Sequence, residues 1–301
     1  MPPERRKTDV TIDAPTFMLK PSKPKLVLPV GACDAHVHVF GPGARFPYEA
    51  GRATAPADAP KETLFALHAL LGIERCVIVQ TATHGMDNRV TEDALAAKGG
   101  TYLGVALLPT TVSDAELRRL DERGFHGVRF NFMRHLHQAA TLDEVMALTP
   151  RLANIGWHLQ VHMDGAFIAD MADALARSPV PVVIDHIGRV DAGLGLEQEP
   201  FRHLLRLMQN DKFWVKVSGC DRISRTGPPY ADAVPFARKL VTEFPDRVVW
   251  GTDWPHPHHK GPVPDEGQLV DLIAEMAPTD ELRRKLMVDN PRRLYDRRAT
   301  L

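Results

Sequence analysis

Eight short runs rich in β-branched residues recur along the chain, and stretches with helical signals separate them. Runs of this length and composition are typical of buried strands in a parallel sheet. Strand alternating with helix eight times is the pattern of a (β/α)8 barrel, an α/β fold. A doubly wound sheet is the main alternative, but no GxGxxG motif follows the first run. The runs cover residues 32–39, 75–80, 101–107, 126–131, 157–163, 181–187, 213–218 and 247–252.

Helix start signals fill the gaps between these runs. Ser113 with Glu116, and Thr141 with Glu144, have the spacing of a capping box. Pro291 stands where the first turn of a helix tolerates proline. Residues 1–30 are rich in Pro and Lys and predict a surface arm, so the barrel is expected over residues 31–301.

Composition places the chain in a broad class. A length of 301 residues with 44 % hydrophobic and 25 % charged residues suits a single barrel with a large core. The net charge of −1 gives no indication of a nucleic acid or membrane partner. Three cysteines without a CxxC spacing, and an N-terminus without an apolar stretch, predict a cytoplasmic protein with reduced thiols. A homo-oligomer is compatible with this interpretation.

The first run, CDAHVHVF, carries two histidines one residue apart. Side chains alternate along a strand, so Asp34, His36 and His38 share one face. Two histidines at this spacing, taken alone, more often lie on the solvent-exposed face of a strand than form a ligand set. The pair therefore needs partners elsewhere in the chain.

Such partners follow the other predicted strands. In a barrel the active site lies at the carboxyl ends of the strands. Taken singly, His162 fits a polar barrel interior, His186 fits a structural histidine, and Asp253 fits a turn cap. Taken together, they predict one site at one rim of the barrel. The residues at these ends are His36, His38, Arg129, His162, His186, Ser218, Arg222 and Asp253.

Arginines near the same rim indicate the charge of the substrate. Arg129, Arg189 and Arg222 would direct guanidinium groups at one cavity, which favours an anionic substrate. Arg134 and Arg225 are weaker candidates. Thr83 and His84, in the loop after the second strand, either contact substrate or shape the loop. The tract WPHPHHK is interpreted as a proline-broken loop with exposed histidines, of which only His256 is near enough to Asp253 to line the site.

This residue set can perform metal-assisted hydrolysis. His36, His38, His162 and Asp253 are nitrogen and oxygen donors suited to one divalent ion such as zinc. A bound ion lowers the pKa of its water and polarises a carbonyl group. Asp253 would take the proton of the attacking water, and His186 would stabilise the developing oxyanion. The same groups can also act without an ion on an activated carbonyl, so both alternatives predict hydrolysis of a carbonyl compound.

Five motifs resemble the amidohydrolase superfamily, and within it the 2-pyrone-4,6-dicarboxylate lactonase group. The resemblance implies hydrolysis of a small anionic lactone in aromatic catabolism, either 2-pyrone-4,6-dicarboxylate or a related muconolactone or sulfomuconolactone. It also implies that Asp253 activates water, that three histidines, His36, His38 and His186, surround the carbonyl, and that Arg129, Arg189 and Arg222 bind carboxylates. Tyr48 lies where this group has an aromatic residue near the substrate, and these lactonases work without metal. The motifs are CDAHVHVFGP, GVRFNF, VVIDHIGR, RVVWGTDWPHP and NPRRLYD.

The sequence departs from that group in three places. His162 stands where those lactonases have tyrosine, which restores the metal-ligand set of the superfamily. Ala82 stands where a hydroxyl is expected, and Arg134 followed by His135 alters the second carboxylate clamp. Two alternatives stay open beside lactone hydrolysis: metal-dependent nonoxidative decarboxylation of an unsaturated or aromatic acid, and a non-catalytic protein that binds carboxylates.

Overall fold

The computed structural model describes residues 12–50, 54–133 and 140–296. Eight parallel strands lie in one sheet in chain order, which confirms the predicted (β/α)8 barrel. Each of the eight predicted runs overlaps one strand. The strands are β1 Cys33–Val37, β2 Arg75–Val79, β3 Tyr102–Ala106, β4 Phe125–Phe132, β5 His158–Met163, β6 Val182–Ile184, β7 Phe213–Lys216 and β8 Val248–Val249.

Helices cover the outside of the sheet and alternate with the strands. They are α1 Lys61–Leu71, α2 Arg89–Ala96, α3 Asp114–Glu122, α4 Leu142–Ala153, α5 Ile168–Ala176, α6 Glu199–Leu207, α7 Cys220–Ile223, α8 Val234–Glu243, α9 Glu266–Asp271, α10 Ile273–Met276, α11 Asp280–Arg284 and α12 Asn290–Tyr295. None of the helices in the described ranges is long and apolar enough to cross a bilayer.

The predicted helix starts are present. Thr141 and Glu144 form the complete capping box of α4. Ser113 caps α3 through the backbone N–H of Glu116, which is the first half of such a box. Pro291 lies in the first turn of α12, where its missing N–H is not needed.

Hydrogen bonds between the first strand and the segment after the last close the barrel. The backbone N–H of Ala35 donates to the Trp250 carbonyl at 2.8 Å, and that of Asp253 donates to the His36 carbonyl at 2.8 Å. The Asp34 carboxylate accepts the Thr252 hydroxyl at 2.6 Å. Closure therefore fixes the end of β1 directly against the loop that carries Asp253.

The core has two parts. A large apolar cluster fills the space between the sheet and the helices. A smaller cluster, which includes Ala35, Val79, Val105 and Trp214, packs with Tyr295 of α12 and belongs to the strand faces opposite the helix layer. The buried side chains of His158, Gln160 and Lys216 make the barrel interior partly polar. The three cysteines are free and buried.

The described part of the N-terminal arm, residues 12–30, contacts the barrel near the carboxyl end of β8. The Phe17 ring packs edge-on against Trp254, with ring centroids 5.1 Å apart. Ser22 donates to Asp265, and the backbone of Lys25 donates to Asp271. The division of the chain into an arm and a barrel at residue 30 stays a prediction.

Candidate active site

Asp253 lies at the centre of the candidate site, four residues beyond β8. Its Oδ1 atom is 3.6 Å from Nε2 of His36, 3.2 Å from Nε2 of His38 and 3.8 Å from Nε2 of His186. All four side chains are almost completely buried. The histidines come from the ends of β1 and β6, so the fold brings together groups up to 217 positions apart in the sequence.

Arg222 holds the other oxygen of the same carboxylate. Its Nε and terminal nitrogen donate to Asp253 Oδ2 at 2.8 and 2.7 Å. Burial alone would raise the pKa of Asp253. The charge of the Arg222 guanidinium is the largest cause that opposes burial, and the pKa of Asp253 lies well below its ordinary value. The carboxylate is therefore ionised, with Oδ1 facing the imidazoles.

Backbone and hydroxyl groups orient two of the imidazoles. His38 Nδ1 lies 2.7 Å from the Val79 carbonyl, which can only accept, so Nδ1 carries a proton and Nε2 faces Asp253. His186 Nδ1 lies 3.0 Å from the Ser218 hydroxyl. Burial is the main reason that the pKa of His186 falls to about 4, so this ring is neutral at pH 7.

Two charged groups beneath the site compete for His36. Its Nδ1 atom is 3.2 Å from Lys216 Nζ and 3.3 Å from Asp185 Oδ1. If Lys216 donates, the proton of the neutral ring lies on Nε2 and points into the site. If Nδ1 donates to Asp185, Nε2 keeps a lone pair for a cation. The two tautomers correspond to the metal-free and metal-assisted alternatives.

Sequence reasoning missed this buried network. Lys216 is completely buried and donates to the Ala35 carbonyl and to Gln160, each at 2.9 Å. Asp185 accepts from Gln160 and from Arg129 Nε, each at 3.0 Å. Burial lowers the pKa of Lys216 to about 8. The signal was available, because one lysine interrupts the apolar run FWVKVS and one aspartate ends VVID.

A cavity of about 100 Å³, the inner cavity, opens above Asp253. Arg189 lines it and, among the residues that the structure describes, makes no hydrogen bond or ion pair. Burial and then the neighbouring Arg222 lower the pKa of Arg189. The described lining residues are His38, Thr81, Ala82, Arg129, Asn131, His162, His186, Arg189, Arg222, Asp253, Pro257 and His258.

Arg129 and Arg222 line the inner cavity but also hold carboxylates of the protein. Arg129 Nε is engaged by Asp185, and Arg222 by Asp253. The structure therefore gives these two arginines a structural partner that their sequence positions did not indicate. Arg189 is the one of the three predicted arginines whose guanidinium has no such partner in the described parts of the chain.

Three donor atoms in the site can hold a metal ion. The ligand atoms of His36, His38 and Asp253 lie within 4.8 Å of one another. Within the described ranges, the buried Nε2 of His36 has no hydrogen-bond partner, as expected for a ligand position. The nitrogen and oxygen donors thus fit a divalent cation.

His162 stands apart from this group. Its Nδ1 lies 3.1 Å from the Asn131 side-chain oxygen, and its ring centroid is 5.6 Å from that of His186. Among the described residues, His162 is not part of the cluster of ligand atoms that His36, His38 and Asp253 form. Of the four predicted ligands, the structure brings three together and places His162 on the cavity wall.

Three predicted substrate contacts lie outside the inner cavity. Tyr48 donates to Asp58 on the surface, and its ring packs 4.8 Å from that of His84. His84 bonds to the Pro47 carbonyl and the Gly41 N–H, which fixes the loop after β1. Thr83 contacts the Thr81 hydroxyl at 3.2 Å. These contacts fit the loop-shaping alternative for Thr83 and His84.

The histidine-rich tract also differs from expectation. His256 does not line the inner cavity, because it is fully buried 3.3 Å from Glu266. His258 lines the cavity in its place. Arg134 and His135 lie outside the described residues, and Arg225 pairs with Asp191 on the surface.

Left-handed backbone conformations cluster at the site. Asp253, His186, Ile187 and Arg189 have φ angles of 62°, 50°, 54° and 51°. Each such conformation costs a non-glycine residue on the order of 1–3 kcal/mol and persists where the surrounding structure enforces it. Strain at three polar residues of one cavity is typical of a functional site.

Comparison with known proteins agrees with this geometry. The amidohydrolase family profile matches residues 33–297. The chain is 47 % identical to a 2-pyrone-4,6-dicarboxylate hydrolase from Comamonas testosteroni, over 91 % of this chain and 93 % of that protein. It is 42 % identical to a 4-sulfomuconolactone hydrolase from Rhizobium radiobacter, over 89 % and 91 %. A ligand-free crystal structure from Agrobacterium tumefaciens has a TM-score of 0.80 and 30 % identity, and the match covers 90 % of this chain and 98 % of that one.

Proposed function

This chain belongs to the amidohydrolase family, and from that premise we propose that it is an enzyme that hydrolyses a small anionic lactone. The lactones named for its relatives, 2-pyrone-4,6-dicarboxylate and 4-sulfomuconolactone, are the first candidates for its substrate. The observation that carries the proposal is Asp253 Oδ1, which three imidazoles surround at 3.2 to 3.8 Å in a cavity that Arg189 also lines. A role in aromatic catabolism belongs to the same proposal.

Asp253 acts as the base in this mechanism. A water molecule adds its oxygen to the lactone carbonyl carbon while its proton moves to Asp253 Oδ1. Arg222 keeps Oδ2 occupied, so Oδ1 is the oxygen that accepts. The carbonyl oxygen gains negative charge, which an N–H donor at Nε2 of His186 stabilises. The ring C–O bond then breaks, and the leaving oxygen takes the proton back from Asp253.

Arg189 binds the substrate in this scheme. A half-buried guanidinium to which the described residues offer no partner favours a carboxylate or sulfonate, because the anion forms charge-assisted hydrogen bonds with it. The anion places the lactone carbonyl over Asp253 and between the imidazoles. Arg129 adds its terminal nitrogens to the same wall.

We propose that His36, His38 and Asp253 hold one divalent ion, and zinc suits two imidazoles and a carboxylate. When bound, such an ion supplies Lewis-acid polarisation of a carbonyl and lowers the pKa of water. Elemental analysis of protein purified without chelator tests this directly. His38→Ala is expected to lose the ion and His162→Tyr to keep it. Equal metal content in both variants and the wild type would count against this ligand set.

The decisive test of the function is product analysis with a panel of lactones and carboxylic acids. Lactone hydrolysis consumes one water and releases one proton per turnover, whereas decarboxylation releases carbon dioxide. A pH-stat and mass spectrometry distinguish the two. Carbon dioxide release, or binding of every compound without turnover, would replace the lactonase proposal by one of its alternatives.

Two further parts of the proposal concern the setting of the enzyme. The three free, buried cysteines favour a cytoplasmic location. A homo-oligomer stays a prediction, which sedimentation of the purified chain tests.

A further inference from the structure

A second cavity, the outer cavity, adjoins the inner one. Ala82 and Asn131 line both cavities, so the two are neighbours across this wall. The outer cavity has a volume of about 740 Å³, against about 100 Å³ for the inner one. Sites for drug-sized ligands span about 300–1,000 Å³. The inner cavity therefore suits the reacting end of a molecule, and the outer cavity has room for a larger part.

The walls of the two cavities differ in chemistry. Three arginines line the inner cavity. The outer cavity has no Lys or Arg among its described lining residues, and it has one histidine, His84, and two carboxylates, Glu49 and Asp87. The Asp87 carboxylate is paired with Arg89. Much of the rest of its wall is apolar. The apolar lining residues are Ala82, Met86, Leu107, Leu108, Phe130 and Ala140.

We propose that the outer cavity receives a neutral, apolar substituent of the lactone, while the inner cavity binds its anionic head. This inference rests on the proposed lactonase function and extends its substrate class to alkyl- or aryl-substituted anionic lactones. A second carboxylate on the substituent is disfavoured, because Glu49 repels it and the described lining has no Lys or Arg to pair with it. Asp87 adds less repulsion, since Arg89 already pairs with it. An apolar group gains about fourfold in affinity for each methylene that leaves water.

Three matched compounds test the inference. The parent is 2-pyrone-6-carboxylate, and the other two carry either a butyl or a 3-carboxypropyl group on ring carbon 4. The butyl compound is expected to have a kcat/KM at least about tenfold above the parent, mainly through a lower KM. The 3-carboxypropyl compound is expected to show no gain. A butyl compound no better than the parent would overturn the inference.

A charge substitution assigns the effect to the outer cavity. Met86 lines that cavity and is 41 % exposed, so Met86→Lys is compatible with folding. The variant is expected to reduce the butyl over 3-carboxypropyl preference at least about tenfold. Leu70 of α1 is 37 % exposed and lines neither cavity, so Leu70→Lys is the matched control with the same charge change. An unchanged preference in Met86→Lys, or an equal change in both variants, would refute the assignment.

The two proposals fail differently. Hydrolysis of the parent without the butyl preference leaves the lactonase function standing and removes the inference. If no compound is hydrolysed, the lactonase proposal fails, and calorimetric titration with the same compounds then decides the cavity assignment. Butyl-dependent binding that Met86→Lys weakens supports that assignment, and binding without such dependence refutes it.

Discussion

At the scale of single residues, a substitution of Asp253 distinguishes an effect on the chemical step from an effect on substrate binding. Asp253→Asn preserves the shape of the side chain but removes the negative charge that takes the water proton. We expect kcat to fall by about 10³, within the range for loss of a general base, and KM to change less than about threefold. Asp211→Asn, at a fully exposed position, is the matched control and should match the wild type. Near-normal turnover in Asp253→Asn would contradict the assignment of the base.

Lys216 is the residue whose structural role is least apparent from the sequence. Its ammonium group is buried against Asp185, Gln160 and the Ala35 carbonyl. Lys216→Met leaves those acceptors without their donor, and breaking a buried charge network costs about 3–5 kcal/mol. We expect the free energy of unfolding in urea to fall by about 3 kcal/mol. Lys212→Met, which removes one partly buried hydrogen bond to the Ser178 carbonyl, should cost less than about 1 kcal/mol. Comparable losses in the two variants would show that the Lys216 network is weak.

At the scale of elements, the start of α4 is a clean test of local stability. Thr141 accepts from the Glu144 N–H, and the Glu144 side chain accepts from the Thr141 N–H. Thr141→Ala should lower the free energy of unfolding by about 1 kcal/mol without changing kcat, because α4 lies outside the catalytic residues. Thr141→Ser keeps the hydroxyl and should stay within about 0.3 kcal/mol of the wild type. Equal stability of Thr141→Ala and the wild type would show that the cap contributes nothing.

The elements also show which features of the fold the sequence predicts and which it does not. The β-branched runs located all eight strands, because burial in a parallel sheet leaves a local signal in the sequence. The run at 181–187 was too long, since β6 ends at Ile184 and His186 and Ile187 turn into left-handed conformations. Propensity does not predict such backbone in non-glycine residues. The end of β6 therefore coincides with residues of the site.

At the scale of the whole molecule, topology made the centre of the site predictable. His38 and Asp253 are 215 positions apart, but barrel closure forces the ends of β1 and β8 together. Which charged side chains of the site pair with each other was not predictable. The sequence shows that Arg222 is near, but only the packing shows that it pairs with Asp253, whereas Arg189 has no such carboxylate partner in the described parts of the chain. Charge pairs form between side chains of distant segments and leave no periodic pattern.

The pH dependence of stability is a property of the whole barrel interior. His158 is buried at the start of β5, next to Tyr295, and burial lowers its pKa from 6.5 to about 3. Between these two values the unfolded chain binds a proton that the folded chain excludes. The free energy of unfolding therefore rises with pH across this window, by about 1.4 kcal/mol per pH unit for this one residue. The contribution is lost progressively as the pH falls from 6.5 toward 3.

His158→Leu should remove that part of the slope. Other buried histidines of the site, such as His186, keep the remainder, so the variant should flatten the curve between pH 6 and pH 4 and not abolish it. Urea unfolding at pH 6, 5 and 4 measures the slope, and His203→Leu at a partly exposed position of α6 is the control substitution. Because the slope is a difference between pH values, it is independent of any constant loss of packing that the substitution causes. A His158→Leu slope as steep as that of the wild type would mean that the buried ring already takes up its proton in the folded barrel.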